Sequence, residues 1–181
     1  MTSTEQPVRA PALVDQLRAI LLRDLRALRR EIEAYPDDES VWTVPDGISN
    51  SGGTLVLHLV GNLRSFVGRV IGGDGYERDR PREFGARGLP RTELLRDIDV
   101  TVAAVDRAMP MLTAEALAAE YPMAIGAVTV NTQDFLVHLA VHLGYHLGQV
   151  DYHRRIVTGS PATVATVAPA ELSSAKPVPA A

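Results

Sequence analysis

Apolar residues recur every three or four positions in four separate stretches of this 181-residue chain, the spacing of helices with one buried side. The first stretch, residues 12–34, carries Leu13, Leu17, Ile20, Leu21, Leu25, Leu28 and Ile32, and Pro36 beside Asp37 and Asp38 ends it. Residues 42–53 read as a loop, with Pro45, Gly47 and a Ser-Asn-Ser-Gly-Gly cluster, and Trp42, the single tryptophan, is expected to pack that loop onto the helices. A second helix is predicted over 54–71, with Leu55, Leu59, Leu63, Phe66 and Val70 on its apolar side and Gly72, Gly73 and Gly75 as its stop. Residues 74–90 are polar and rich in arginine and glycine, a connection of a length that is often functional within a domain.

A third helix is predicted over 91–109, marked by Leu95, Ile98, Val102 and Val105. Between 110 and 130 the pattern predicts a short helix over 112–120 and a short extended piece over 127–130. The fourth helix opens at Asn131, an N-cap with Asp134 three residues on, and runs to Thr158 before Gly159 stops it. Residues 160–181 are Pro, Ala, Ser, Thr and Val without period and read as a flexible tail. Four long helices and no strong strand predict an all-α fold, a four-helix bundle over residues 1–159. The connection between the second and third helices is long enough for a crossover.

Composition narrows the chemistry. The chain has no cysteine, which excludes disulfides, thiolate metal ligands and a cysteine nucleophile. A net charge of −4 gives no ground for nucleic-acid binding, and the basic stretch from Arg23 to Arg30 alternates with Leu25 and Leu28 as a solvated helix face does. No apolar run approaches the ~20 residues of a membrane helix, and the first residues, MTSTEQPVRAP, lack the apolar core of a signal peptide. A cytoplasmic protein is expected.

The candidate chemistry lies on the fourth helix, where four of the five histidines occur: His138, His142, His146 and His153. At ~100° per residue these four and Gln149 fall within an arc of about 80°. Phe135, Leu136, Leu139, Leu143, Leu147 and Val150 adjoin that arc, while Ala140, Gly144 and Gly148 occupy the far side. The middle of this helix is therefore expected to be buried nearly all round, with the small residues admitting a close neighbour. Burying several imidazoles is costly unless each ring finds a partner, and a metal ion answers that need. Histidines at i and i+4 project from consecutive turns of one face, so both can bind one ion. The fifth histidine, His58, is in the middle of the second helix and can face them. A lone core histidine or one His-x-x-x-His pair is common without metal, but a stack of this size on a buried face is not. His138 is the weaker candidate, either orienting a ligand or hydrogen-bonded in the core, and His153, beside Arg154 and Arg155, is expected to be exposed. The zinc-protease helix is excluded, because Leu143 stands where that motif has its glutamate. The carboxylate pattern of di-iron bundles is absent too.

The segments LVLHLVGNLRSFVG, around His58, and HLAVHLGYHLGQ, residues 138–149, resemble the DinB-like superfamily, which includes YfiT-type metal hydrolases and bacterial thiol transferases. The stretch SGGTLVLHLVGNLRSFVGRVIGGDGYERDRPREF is similar to the DUF1572 branch of that superfamily. The resemblance spans most of residues 10–158. It implies a DinB-like four-helix bundle and a divalent metal, Ni²⁺, Zn²⁺ or Fe²⁺, held by His58, His142 and His146, with Gly148 and Gln149 as the trailing pair. It also implies transfer of a low-molecular-weight thiol, such as bacillithiol or mycothiol, to an electrophilic small molecule. Arg64, Arg69, Arg78, Arg80 and Arg82 are candidates to hold the thiol's carboxylates, with surface solvation the plainer role for most. The other functions considered are a metal-dependent hydrolase, for which the sequence shows no general base, and a non-catalytic metal-stabilised bundle acting as a dimeric binding protein. A homodimer is the protein partner that the apolar fourth helix permits; no catalytic side chain is singled out.

Overall fold

A computed structural model describes residues 12–178. Residues 1–11, read above as lacking a signal sequence, and residues 179–181 of the expected tail lie outside the described part. Seven α-helices are present among the described residues: α1 (Ala12–Glu33), α2 (Asp38–Trp42), α3 (Gly52–Leu63), α4 (Arg80–Gly85), α5 (Arg91–Ala108), α6 (Ala114–Ala118) and α7 (Thr132–Thr158). Helix α3 continues as a π-helical segment, Arg64–Arg69, and α5 as a 3₁₀ turn, Met109–Met111. The expected extended piece is no strand: Ile125 and Val128 form one isolated bridge and Glu120 and Asn131 another.

The long helices form where the apolar spacing put them. In α1 the predicted stripe is buried at Leu17, Leu21, Leu25, Leu28 and Ile32. Asn131 stands at the N-cap of α7 but makes no side-chain cap bond, and Gly159 ends the helix at φ 67°, the left-handed conformation that glycine adopts freely. Two short helices were not expected. Asp37 caps α2 by accepting from Ser40 N at 2.8 Å, and α2 buries Val41. Asp79 caps α4 by accepting from Arg82 N at 2.9 Å. One turn of helix carries too few apolar residues to leave a period.

The Gly-Gly pair read as loop belongs to α3, which begins at Gly52 behind the N-cap Ser51. These glycines serve close approach: a Cβ on Gly52 would lie 2.5 Å from the Tyr35 hydroxyl, and one on Gly53 2.7 Å from the Trp42 ring. Trp42 also donates from Nε1 to the Leu89 carbonyl at 2.9 Å, tying the 86–90 connection to the start of α3.

Helix α1 packs against α5 and α7, and α3 packs against the same two. Gly68 meets Ala104 and Gly72 meets Ala108, so α3 and α5 run parallel and the chain must return along α3 to join them. That return, residues 70–90, carries Arg78 and Glu83 past His58.

The outer face of α7 corrects the expectation of a helix buried all round. Val137, Val141, Tyr145, Tyr152 and Ile156 are exposed, and so are Gly144 and Gly148. Among the described residues only the Asp24 carboxylate of α1, 3.9 Å away, would meet a Cβ on Gly144, and nothing would meet one on Gly148, so no helix packs closely against either glycine. Helices α1 and α3 cover two sides of α7 and leave the third without a partner among the described residues. His153 is the opposite correction, being 2% exposed. Its Nε2 donates to the Thr43 carbonyl at 2.8 Å, and its Nδ1 accepts from the Tyr35 hydroxyl at 2.7 Å. The loop after α2 folds over the end of α7 and encloses it.

The segment expected as a flexible tail lies along α1 and α7. Arg30 donates to the Thr166 carbonyl, Arg154 to that of Ala162 and Arg155 to that of Pro161.

Candidate metal centre

His58, on α3, points across the helix interface at His142 and His146, which stand one turn apart on α7. Their ring centroids lie 5.1 and 5.3 Å from that of His58 and 4.6 Å from each other. Each imidazole offers one nitrogen, and the three nitrogens lie within 4.8 Å of one another. His58 is buried and the α7 pair half-buried. The Nε2 atoms of His58 and His142 are 3.2 Å apart. Two nitrogens bound at about 2.0–2.1 Å to one tetrahedral ion are separated by about 3.3 Å.

Accepting oxygens at the other ring nitrogens fix the tautomers of His58 and His146. His58 Nδ1 is 3.2 Å from Glu83 Oε2, and a carboxylate only accepts, so the proton is on Nδ1 and Nε2 presents its lone pair to the cluster. His146 Nδ1 is 2.5 Å from Gln149 Oε1, which likewise leaves Nε2 free. His142 Nδ1 is buried with no partner. Burial, reinforced by the neighbouring histidines, pushes the His142 pKa down to about 4, and burial lowers that of His146 as well. At neutral pH both rings are therefore uncharged, the form that ligates a metal. Converging nitrogens on neutral rings, two of them oriented by an accepting oxygen, fit a divalent ion with nitrogen ligands.

Glu83 is the functional residue that sequence reasoning missed. Burial alone would raise its pKa, but hydrogen bonds from Arg78 and His58 outweigh that and hold the carboxyl below the usual range. Arg78 donates to it through Nε at 2.6 Å and Nη2 at 2.9 Å, a bidentate clamp. Gly61 makes the room, since a Cβ there would collide with the Glu83 carboxylate. The available signals were Gly61 inside a helix, which marks a close approach, and the long connection itself.

Replacing Glu83 by glutamine is expected to weaken divalent-metal affinity about 10–100-fold, as loss of an orienting partner does. Gly61→Ala should act in the same direction by displacing the carboxylate. Competition against a chromophoric chelator reads both, and unchanged affinities would remove Glu83 from the site.

The remaining candidates do not converge with the three ligand nitrogens, although the His138 ring lies 5.9 Å from that of His142. His138 is exposed, stacked on Phe135 at 6.0 Å between centroids, and is absent from the group of three converging ligand atoms. Of the arginines, Arg64 pairs with Asp74 at 3.3 Å and lies over the Tyr76 ring, Arg82 pairs with Glu93, and Arg80 lies over Phe84. Phe84, on α4, is in turn 5.2 Å from the His58 ring, and Tyr145, on α7, 5.1 Å from that of His146, so aromatic side chains flank the cluster on two sides. No described helix is long and apolar enough to cross a membrane.

No curated protein matches the sequence. The family model of the DinB superfamily does match, over residues 12–150, a span that contains all three converging histidines together with Glu83 and Gln149. The chain belongs to the DinB superfamily.

Proposed function

We propose that this protein is a metal-dependent enzyme of the DinB four-helix-bundle type, allied to its DUF1572 branch, that transfers a low-molecular-weight thiol to an electrophilic small molecule. His58, His142 and His146 would hold the ion, with Ni²⁺, Zn²⁺ and Fe²⁺ as the candidates. The chemistry that such an ion supplies when bound is acidification of a thiol, which makes a thiolate available at neutral pH. The thiol comes from the co-substrate, since the chain has no cysteine. Its sulfur attacks the electrophilic carbon, the carbon–sulfur bond forms as the bond to the leaving group breaks, and the proton and leaving anion pass to solvent.

The observation that carries this reading is the state of Glu83. It is the carboxylate beside the cluster, and both its oxygens are engaged by Arg78 and His58. It holds His58 in orientation and is not free to take a proton from water, which hydrolysis would ask of it. Thiol transfer asks for no such base once the thiol is acidified. Three protein ligands also leave open positions, the arrangement of catalytic rather than structural sites. A cytoplasmic setting, where such thiols occur, goes with the proposal.

The test is elemental analysis of tag-free protein, followed by reconstitution with each of the three ions and assay with bacillithiol and mycothiol against the neutral electrophile monochlorobimane. About one ion per chain and thiol-dependent conjugation are expected. Loading that raises the melting temperature without any turnover, on thiol or on ester substrates, would assign the metal to stability alone.

A further inference from the structure

Adjoining the histidine cluster is a cleft of about 330 Å³ between the 47–50 segment and the C-terminal half of α7. Its walls are Ile48, Leu55, Tyr152 and Ile156, and its polar groups include Asn50 and Gln149. Two of these residues tie it to the cluster. Gln149 lines the cleft and accepts from His146 through the same side chain. Leu55 precedes His58 by one helical turn on α3.

None of the lining residues is Asp, Glu, Lys or Arg. The charged groups near the cluster, Arg78 with Glu83 and Arg64 with Asp74, are engaged with one another away from this cleft. Tyr152 is 69% and Ile156 58% exposed, so much of the apolar wall faces water. The volume is at the low end of small-molecule pockets, and apolar walls with a few neutral amide groups are their usual lining. An anion seated in the cleft would lose part of its hydration and find no cationic side chain in the lining.

We propose that this cleft holds the uncharged organic portion of the electrophilic substrate, a small aromatic or aliphatic group, next to the metal centre. The assignment rests on the catalytic reading of the histidine cluster. Ile48, Tyr152 and Ile156 set specificity by covering the apolar group, and the amides of Asn50 and Gln149 orient neutral polar substituents.

The test is saturation-transfer NMR on chelator-treated protein, where no ion can draw a carboxylate, with two unreactive probes of one shape, neutral 4-nitrobenzamide and anionic 4-nitrobenzoate. The amide is expected to bind saturably and at least about tenfold more tightly than the benzoate. Ile156→Glu and Ile48→Asp, both surface changes outside the cluster, should each weaken the amide at least about tenfold, with melting temperature and metal uptake on reloading unchanged. Metal-free His142→Ala should still bind it within about twofold. Absence of saturable amide binding, equal or tighter benzoate binding, or indifference to both cleft variants would overturn the proposal. So would loss of the amide signal at rising protein concentration alongside a dimer that Ile156→Glu dissociates, because a second copy would then own this face. Intact amide binding without thiol transfer sinks the transferase reading and leaves the cleft assigned. Turnover with the amide bound elsewhere does the reverse.

Discussion

Alanine at position 142 is expected to reduce metal loading to less than about a tenth of the wild-type level and to abolish thiol-dependent turnover, while the fold survives. His142 is central to the cluster, with its Nε2 3.2 Å from that of His58 and its ring 4.6 Å from that of His146. Without it, two imidazoles on different helices remain, and binding falls by more than the ~10–100-fold that loss of an orienting group causes. The fold should tolerate the change. The ring is only half-buried, and its Nδ1 has no partner, so truncation also removes an unsatisfied polar atom. Elemental analysis and thermal melts of the metal-free proteins read the two halves of the expectation, and full loading of the variant would displace His142 from the site.

A pH effect accompanies this. The folded-state pKa of His142 is depressed to about 4, below the ordinary histidine value near 6.5. On acidification the unfolded chain therefore takes up its proton first, and metal-free protein loses stability as the pH falls from about 6.5 toward 4. His142→Ala should flatten that slope in urea titrations run across this range. An identical slope would assign the effect to other groups, among them His146 and His153, whose pKa values burial also lowers.

The largest effect on stability is expected at Arg154. This guanidinium and the Glu31 carboxylate are each 1% exposed, and Arg154 Nε donates to Glu31 Oε2 at 2.5 Å. It also donates through Nη2 to Asp151 at 3.1 Å and to the Ala162 carbonyl at 2.7 Å. Burial pushes the Glu31 carboxyl up, even against the hydrogen bond and charge of Arg154. The pair is thus an expensive one to hold in the core, and breaking it is worse than never having it. Arg154→Ala should cost about 3–5 kcal/mol, because it strands a buried carboxylate. That is a large part of the ~5–15 kcal/mol that domains possess.

Replacing both partners, Glu31→Met with Arg154→Met, should restore most of the loss. Because the folded pKa of Glu31 is raised, its contribution is most favourable below the unfolded carboxyl pKa and fades as the pH rises. Arg154→Ala should accordingly suffer less at pH 5 than at pH 7. Urea denaturation reads all of this, and a loss under about 1 kcal/mol would mean that water reaches Glu31.

How far the sequence could be read depended on whether the determining contacts were local. The long helices were legible because burying a stripe imposes a period of 3.6 residues on any sequence that does it, and α1 and α5 fall within a residue or two of the bounds predicted. Short α2 and α4 left no such trace. Gly52 and Gly53 carried the chemistry of a turn, yet Tyr35 and Trp42, distant in the chain, are the reason for them.

The site divides along the same line. That His142 and His146 share a face follows from their spacing alone, as does the position of Gln149 one turn beyond. That His58 meets them depends on α3 and α7 packing together, and that Glu83 reaches His58 depends on the chain returning along α3. His153 shares the arc of the other histidines but is enclosed by the loop over the end of α7, and Gly144 and Gly148 are exposed because no described helix packs closely against them. The sequence by itself determined the helices and the residues that each helix displays on one side, because backbone geometry repeats every turn whatever surrounds it. Only the tertiary structure decided which displayed sides meet, which stay in water and which carboxylate orients the histidine, because those contacts join residues far apart in the chain and depend on how whole helices pack.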